Sequence, residues 1–179
     1  LPLIRPNEKT VVIAAYDDEP FALEYAVSLL KEEGRLPAGT QIAVYSGRNA
    51  GLDEMLSWTG DADNVIAVSE MYQTSYLSGE YAARLDSLRR QVQERGGRFI
   101  LMSTNLPYDA ARFPGADAIV LSYSAKAMSE DPRVTDSHVK NFSPNLPAAL
   151  YMMFAADESP EGKLPVDLYS LNESFSYDR

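Results

Sequence analysis

Five groups of polar residues in this chain directly follow apolar runs, and they are where chemistry could be done. Asp17 and Asp18 follow VVIAAY (11–16); Ser46, Arg48 and Asn49 follow QIAVY (41–45). Glu70 and Tyr72 come after VIAV (65–68), and Ser103, Asn105, Tyr108 and Asp109 come after FILM (99–102). Ser122 and Tyr123 close the set behind AIVL (118–121). Carboxylates in such positions bind hydrogen-bond donors or move protons, an arginine binds anions, and tyrosines stack on sugar rings or on a packed partner surface. Each residue also has a plainer role. Asp18, Asn49 and Asp109 suit the first turns of helices, Arg48 can pair with nearby acids, and the serines can satisfy turn backbone. Taken together, the groups form a binding or docking rim.

Several familiar sites are absent. Asp17, Asp18 and Glu19 stand where a dinucleotide fold needs G-x-G-x-x-G, and carboxylates there repel a pyrophosphate. There is no Walker phosphate loop and no G-x-S-x-G elbow. His138 is the only histidine, and there is no cysteine, so thiol catalysis, disulfides and thiolate metal sites are excluded. No cofactor and no metal are expected. The absence of cysteine does not decide the compartment.

The elements that must position the rim are legible in the apolar patterning. Val11–Tyr16, Gln41–Tyr45, Val65–Val68, Phe99–Met102 and Ala118–Leu121 are strand-length runs, and the last two lack any apolar–polar alternation. Strands covered on both faces belong to parallel sheets with helices on either side. Leu23, Ala26, Leu29 and Leu30 recur at helical spacing, with Gly34 placed to end that helix. Leu52, Met55 and Leu56 predict a short helix stopped near Gly60. Leu77, Tyr81, Leu85, Leu88 and Val92 predict the longest one, ended at Gly96-Gly97. Leu106–Arg112 has room for about two helical turns. Ser143-Pro144 is a cap followed by proline at the first helical position, and Leu146, Leu150, Met153 and Phe154 form a stripe behind it. Leu164–Tyr169 (LPVDLY) reads as an edge strand because Pro165 lacks an N–H. The expected architecture is a three-layer α/β/α sandwich. Its doubly wound, mostly parallel sheet has about six strands with a C-terminal edge strand.

With 179 residues and 45% hydrophobic content, the chain is long enough for one domain with a real core. Residues 1–10 read as an incoming linker, 11–170 as the domain and 171–179 as a polar tail. A start at Leu1 rather than Met suggests a piece of a longer or processed polypeptide. The long polar stretch 124–142 reads as a functional or mobile loop. The net charge of −10 disfavours nucleic acid and anionic membranes, and no apolar run is long enough to span a bilayer. Asn141-Phe142-Ser143 and Asn172-Glu173-Ser174 match glycosylation sequons, which matter only in a eukaryotic secretory setting.

Three ordered pieces carry a family likeness: LPLIRPNEKTVVIA (1–14), NLPYDAARFPGADAIVLSY (105–123) and PNLPAALYMMFAADESPEGKLPVDL (144–168). In this order they resemble the C-terminal domain of glycoside hydrolase family 3, in its β-N-acetylhexosaminidase-like or β-glucosidase-like branch. The resemblance implies an accessory domain packed against a catalytic (β/α)8 barrel of the same polypeptide, with carbohydrate as a further contact. The barrel would hold the nucleophilic aspartate, so this domain alone would be inactive. In the β-glucosidase-like branch the domain lends an acid/base glutamate from the loop after the third strand. Glu70, in SEMYQTSY (69–76), is the nearest match, although the second glutamate and following glycine of that branch are missing. The residues that would face substrate or barrel are Asp17, Asp18, Arg48, Asn49, Glu70, Tyr72, Asn105, Tyr108, Asp109 and Tyr123. Two other readings stand beside this one: a flavodoxin-like module binding a small ligand at the strand ends, and a Ser-His hydrolase using His138.

Overall fold

A computed structural model of the chain describes residues 3–15, 19–36, 39–71, 79–105, 107–122 and 145–154. In chain order the elements are β1 (Thr10–Ala14), α1 (Glu19–Glu32), β2 (Ile42–Ser46), α2 (Leu52–Thr59), β3 (Asn64–Met71) and α3 (Gly79–Glu94). They continue with β4 (Arg98–Asn105), a 3-10 turn (Pro107–Arg112), β5 (Ala118–Leu121) and α4 (Asn145–Phe154). The five strands form one sheet in the order β2-β1-β3-β4-β5, and every pairing is parallel. That order, reversing direction between β1 and β3, is the flavodoxin-like version of a doubly wound sheet. The expected α/β class and parallel sheet are therefore present.

The uninterrupted apolar strands follow from burial on both sides. Side chains alternate across a sheet, so Val12, Ala14, Ile66, Val68, Ile100 and Met102 share one face. There they pack on Leu23, Ala26 and Leu30 of α1 and on Leu150 and Met153 of α4. The intervening residues Val11, Ile13, Val65, Ala67, Phe99 and Leu101 meet Met55 of α2, Leu85, Leu88 and Val92 of α3, and Phe113. Among the described strands β2 and β5 stand outermost, and both are only half-buried. Gly34 ends α1 as expected, with φ 68°, a left-handed conformation that residues with a Cβ rarely adopt.

The structure departs from the sequence reading in three places. β3 runs on to Met71, because Ser69, Glu70 and Met71 continue the ladder opposite Ser103, Thr104 and Asn105. The crossover between β4 and β5 is a 3-10 turn rather than an α-helix, the form that suits so short a piece. The described part of the stretch read as a linker is fastened to the domain. The Ile4 side chain is fully buried, and its N–H donates to the Met153 carbonyl at 2.8 Å. The expected edge strand at 164–169, the loop at 124–142, the tail and the Ser143-Pro144 helix start lie outside the described residues.

Candidate functional site

All five strands point their carboxyl ends the same way, so the segments that follow them gather along one edge of the sheet. β1 feeds α1 on one face, while β2 and β3 feed α2 and α3 on the other. The connections thus diverge next to the β1–β3 boundary, where open α/β sheets leave a crevice.

One wall of this region is built around the Ala14 carbonyl at the end of β1. It accepts the Gly47 N–H at 2.9 Å and the Tyr81 hydroxyl at 3.3 Å. Gly47 is required by this close approach, since a Cβ would lie 2.4 Å from Ile13 Cγ2 and 2.9 Å from Tyr81 Oη. Arg84 of α3 lies across the same wall. Its Nη2 donates to the Arg48 carbonyl at 3.0 Å, its Nη1 lies 3.3 Å from Glu80, and its guanidinium stands 5.5 Å over the Tyr81 ring.

The other wall lies at the ends of β3 and β4, where the 3-10 turn packs against both strands. Asp109 is fully buried there, and neither carboxylate oxygen has a hydrogen-bond partner among the described residues. Arg112 Nη1 is 3.9 Å from Asp109 Oδ1, beyond hydrogen-bond length. Burial pushes the Asp109 carboxyl above its ordinary range, and the Arg112 charge opposes this only in part. Ser69 is also fully buried, and its Oγ has no partner among the described residues. Its carbonyl accepts the Thr104 hydroxyl at 3.1 Å, and the Ser103 carbonyl accepts the Ser122 N–H at 3.0 Å. Buried polar atoms are almost always hydrogen-bonded, so these Asp109 and Ser69 atoms, together with the equally unmet buried Arg84 Nε on the opposite wall, mark this edge of the sheet as a place where another group is expected.

Of the residues expected at the rim, Ser46, Arg48, Asn49, Glu70, Ser103, Asn105, Tyr108, Asp109 and Ser122 fall within the described residues. Arg48 and Asn49 are exposed between β2 and α2. Asn49 is not the cap of α2, because Gly51 occupies that position. Tyr108 is 60% exposed and its neighbour Asp109 is 0% exposed, so one turn sends one side chain to solvent and the other inward. Glu70 belongs to the body of β3 rather than to the loop after it, and Asn105 is the last residue of β4. Asp17, Asp18, Tyr72 and Tyr123, with His138, lie outside the described residues. Sequence reasoning did not single out Ser69, Gly47, Tyr81 or Arg84. The available signal for Ser69 was its place directly behind an apolar run. For the others it was tertiary proximity, which spacing does not reveal.

No protein-family model matches the chain, and no curated protein sequence matches it either. Similar solved structures include an apo NADH:FMN oxidoreductase, at 19% identity and TM-score 0.43, covering 64% of this chain and 74% of that one. They also include the rubredoxin oxygen:oxidoreductase of the anaerobe Desulfovibrio gigas, at 14% identity and TM-score 0.44, covering 82% of this chain and 38% of that one. A third is the flavodiiron protein of Giardia intestinalis, at 16% identity and TM-score 0.48, covering 82% and 34% respectively. This chain thus spans little more than a third of each of the last two.

These findings correct the expected membership in glycoside hydrolase family 3. The three neighbours are oxidoreductases and a flavodiiron protein, with no glycosidase domain among them. The accessory-domain reading is corrected with it, and so is the role of Glu70 as a lent glycosidase acid. The physical reason is that short proline-rich and glycine-rich junctions between strands and helices recur wherever a parallel sheet turns. Ordered junction motifs report the layer architecture before they report a family. Among the described residues no group of three His, Asp or Glu side chains is placed to hold a metal ion, and no helix is long and apolar enough to cross a membrane.

Proposed function

We propose that this chain is a flavodoxin-like module that binds a small molecule at the carboxyl ends of β1, β3 and β4. The observation that carries the reading is the fully buried Asp109 carboxyl, whose oxygens have no hydrogen-bond partner among the described residues, on the turn packed against β3 and β4, one strand away from the β1–β3 reversal. Two unmet acceptor oxygens in a dry site are costly, and a ligand bringing donors relieves that cost. Reversal points of this kind are where open α/β sheets take their ligands. The same surface supports a binding role better than a hydrolytic one, because no nucleophile–base pair is assembled among the described residues.

The test is a thermal-shift and titration series on the full chain with riboflavin, flavin mononucleotide, adenosine and adenosine monophosphate. Occupancy at about a hundredfold excess over Kd is expected to raise stability by about 2.7 kcal/mol. The binding is expected to weaken when Gly47, at the opposite wall, is replaced by valine. A melting temperature unmoved by all four compounds would remove the reading.

A further inference from the structure

We infer that the 3-10 turn Pro107–Arg112 is a pH-sensitive latch on the sheet: it stays docked on β3 and β4 while the Asp109 carboxyl carries its proton, and lifts when that carboxyl ionises. The latch is a property of the fold and stands whether or not a small molecule binds at this edge.

The docked turn gives an ionised Asp109 almost no support. The side chain is fully buried, so water does not reach it, and neither oxygen accepts a hydrogen bond among the described residues. The Ser69 hydroxyl of β3, itself without a partner, does not donate to it either. A protonated carboxyl in such a place costs what a neutral polar group costs, whereas a carboxylate costs far more. The surrounding charges compensate little. On the turn, Arg112 Nη1 stands 3.9 Å from Oδ1 and its side chain is partly exposed. Of the strands beneath, β4 carries Arg98 at its far end, paired with Glu8, and β3 carries Glu70, a second acid. On α3, which shares the cluster around Phe113, Arg84 is engaged by Glu80 and the Arg48 carbonyl, and Arg89 and Arg90 by Asp86. Burial therefore dominates and raises the carboxyl, with Arg112 the charge that opposes it.

The turn is also the piece able to give way. It is six residues of 3-10 helix, a form with poorer hydrogen-bond geometry than an α-helix. The chain leaving it is held by the Phe113 N–H on the Ala110 carbonyl at 3.2 Å and the Ala116 N–H on the Phe113 carbonyl at 3.0 Å. Tyr108 is already 60% exposed, so lifting the turn mainly brings Asp109 and Ala110 to water. Because the docked carboxyl is raised, docking is fully favoured below its ordinary value of 3.8 and weakens as pH climbs toward the raised one. Over that window the open-to-docked ratio grows by up to about tenfold per pH unit.

The test is amide hydrogen exchange on the full chain at pH 4 and pH 8, with rates corrected for the intrinsic pH dependence of exchange. Protection at Phe113 and Ala116 is expected to fall by about fivefold or more between the two, while that at Val65–Val68 in β3 holds steady. In Asp109→Asn the Phe113 and Ala116 protection is expected to change by less than about twofold. Arg112→Gln, which removes the opposing charge, is expected to deepen the fall relative to wild type, and it reads the latch even if Asp109→Asn does not fold. Protection independent of pH in wild type, a fall shared equally by Val65–Val68 or by Asp109→Asn, or a fall made shallower by Arg112→Gln overturns the inference. None of these outcomes touches the small-ligand reading, which the titrations above decide.

Discussion

The two ends of the sheet are built on opposite principles. At the amino end the polar groups described close on one another. The Glu8 carboxylate accepts the Arg5 N–H at 2.8 Å, the Asn64 amide at 3.3 Å, and the Arg98 guanidinium. Arg98 Nε also donates to Asn64 Oδ1 at 2.9 Å, and Asp117 accepts the Phe99 N–H at 2.7 Å and the Gln93 amide at 3.0 Å. Burial alone would raise the Glu8 carboxyl, but the Arg5 N–H, the Asn64 amide and the charges of Arg98 and Arg5 outweigh it and hold it below its ordinary range. At the carboxyl end Asp109 shows the reverse balance, with burial unanswered by donors and the carboxyl raised. One end spends its polar residues on stability; the other leaves acceptors open, at a cost to stability that a bound group would offset.

Substitutions can break or sharpen this contrast. The largest expected effect comes from Phe113→Ala. This ring, directly after the 3-10 turn, is fully buried in the core cluster with Met55, Leu85 and Leu88, and its loss should cost about 3–5 kcal/mol in denaturant unfolding. Arg98→Ala opens the satisfied end by stranding Glu8 and Asn64. Both side chains of the Arg98–Glu8 pair retain some solvent contact, so a loss of about 2 kcal/mol is expected, below the full value for a buried pair. Gly47→Ala should cost about 1–3 kcal/mol by overpacking against Ile13 and Tyr81, read from the same unfolding curves.

Asp109→Asn should act in the other direction. The folded carboxyl is raised, so its favourable contribution is present below its unfolded value of 3.8 and is lost as pH climbs through the higher folded value. The variant should therefore gain on the order of 1 kcal/mol over wild type at pH 8 and nothing at pH 3, removing an unsolvated charge. The smallest effect is that of Glu8→Gln. Because the folded carboxyl is lowered, its contribution exists above its unfolded value of 4.5 and fades as pH falls below that. Its removal should cost about 0.5–1 kcal/mol at pH 7 and flatten the acid limb of the stability profile. Equal pH profiles for these two variants would erase the distinction between the ends.

Much of this architecture is legible in the residues, and the reasons can be named. The AIVL run (118–121) coincides with β5, and α2 starts at Leu52 as its periodicity predicts. Such boundaries depend on local backbone chemistry and on apolar spacing. The tail of β3 was not legible, because Ser69 and Glu70 are poor strand residues that join the ladder only when Ser103 and Thr104 lie beside them. The site was legible as a set of loops and not as a set of contacts. Asp109 reads as an ordinary first-turn acid, yet it is buried because the turn that carries it folds down onto β3 and β4. The likeness to a glycosidase domain came from junction motifs, which many parallel sheets need.

What the sequence determined alone was the succession of strands and helices, the parallel character of the sheet and the covering of both its faces. Each is a consequence of side-chain periodicity and of backbone punctuation by glycine and proline, which act within a few residues. The tertiary structure decided the strand order β2-β1-β3-β4-β5, the meeting of Ala14, Gly47 and Tyr81, and the burial of Asp109 and Ser69. Those depend on which distant segments pack together. Burial is a property of the whole fold, so an aspartate's donors, or its lack of them, are set only once every neighbour is in place.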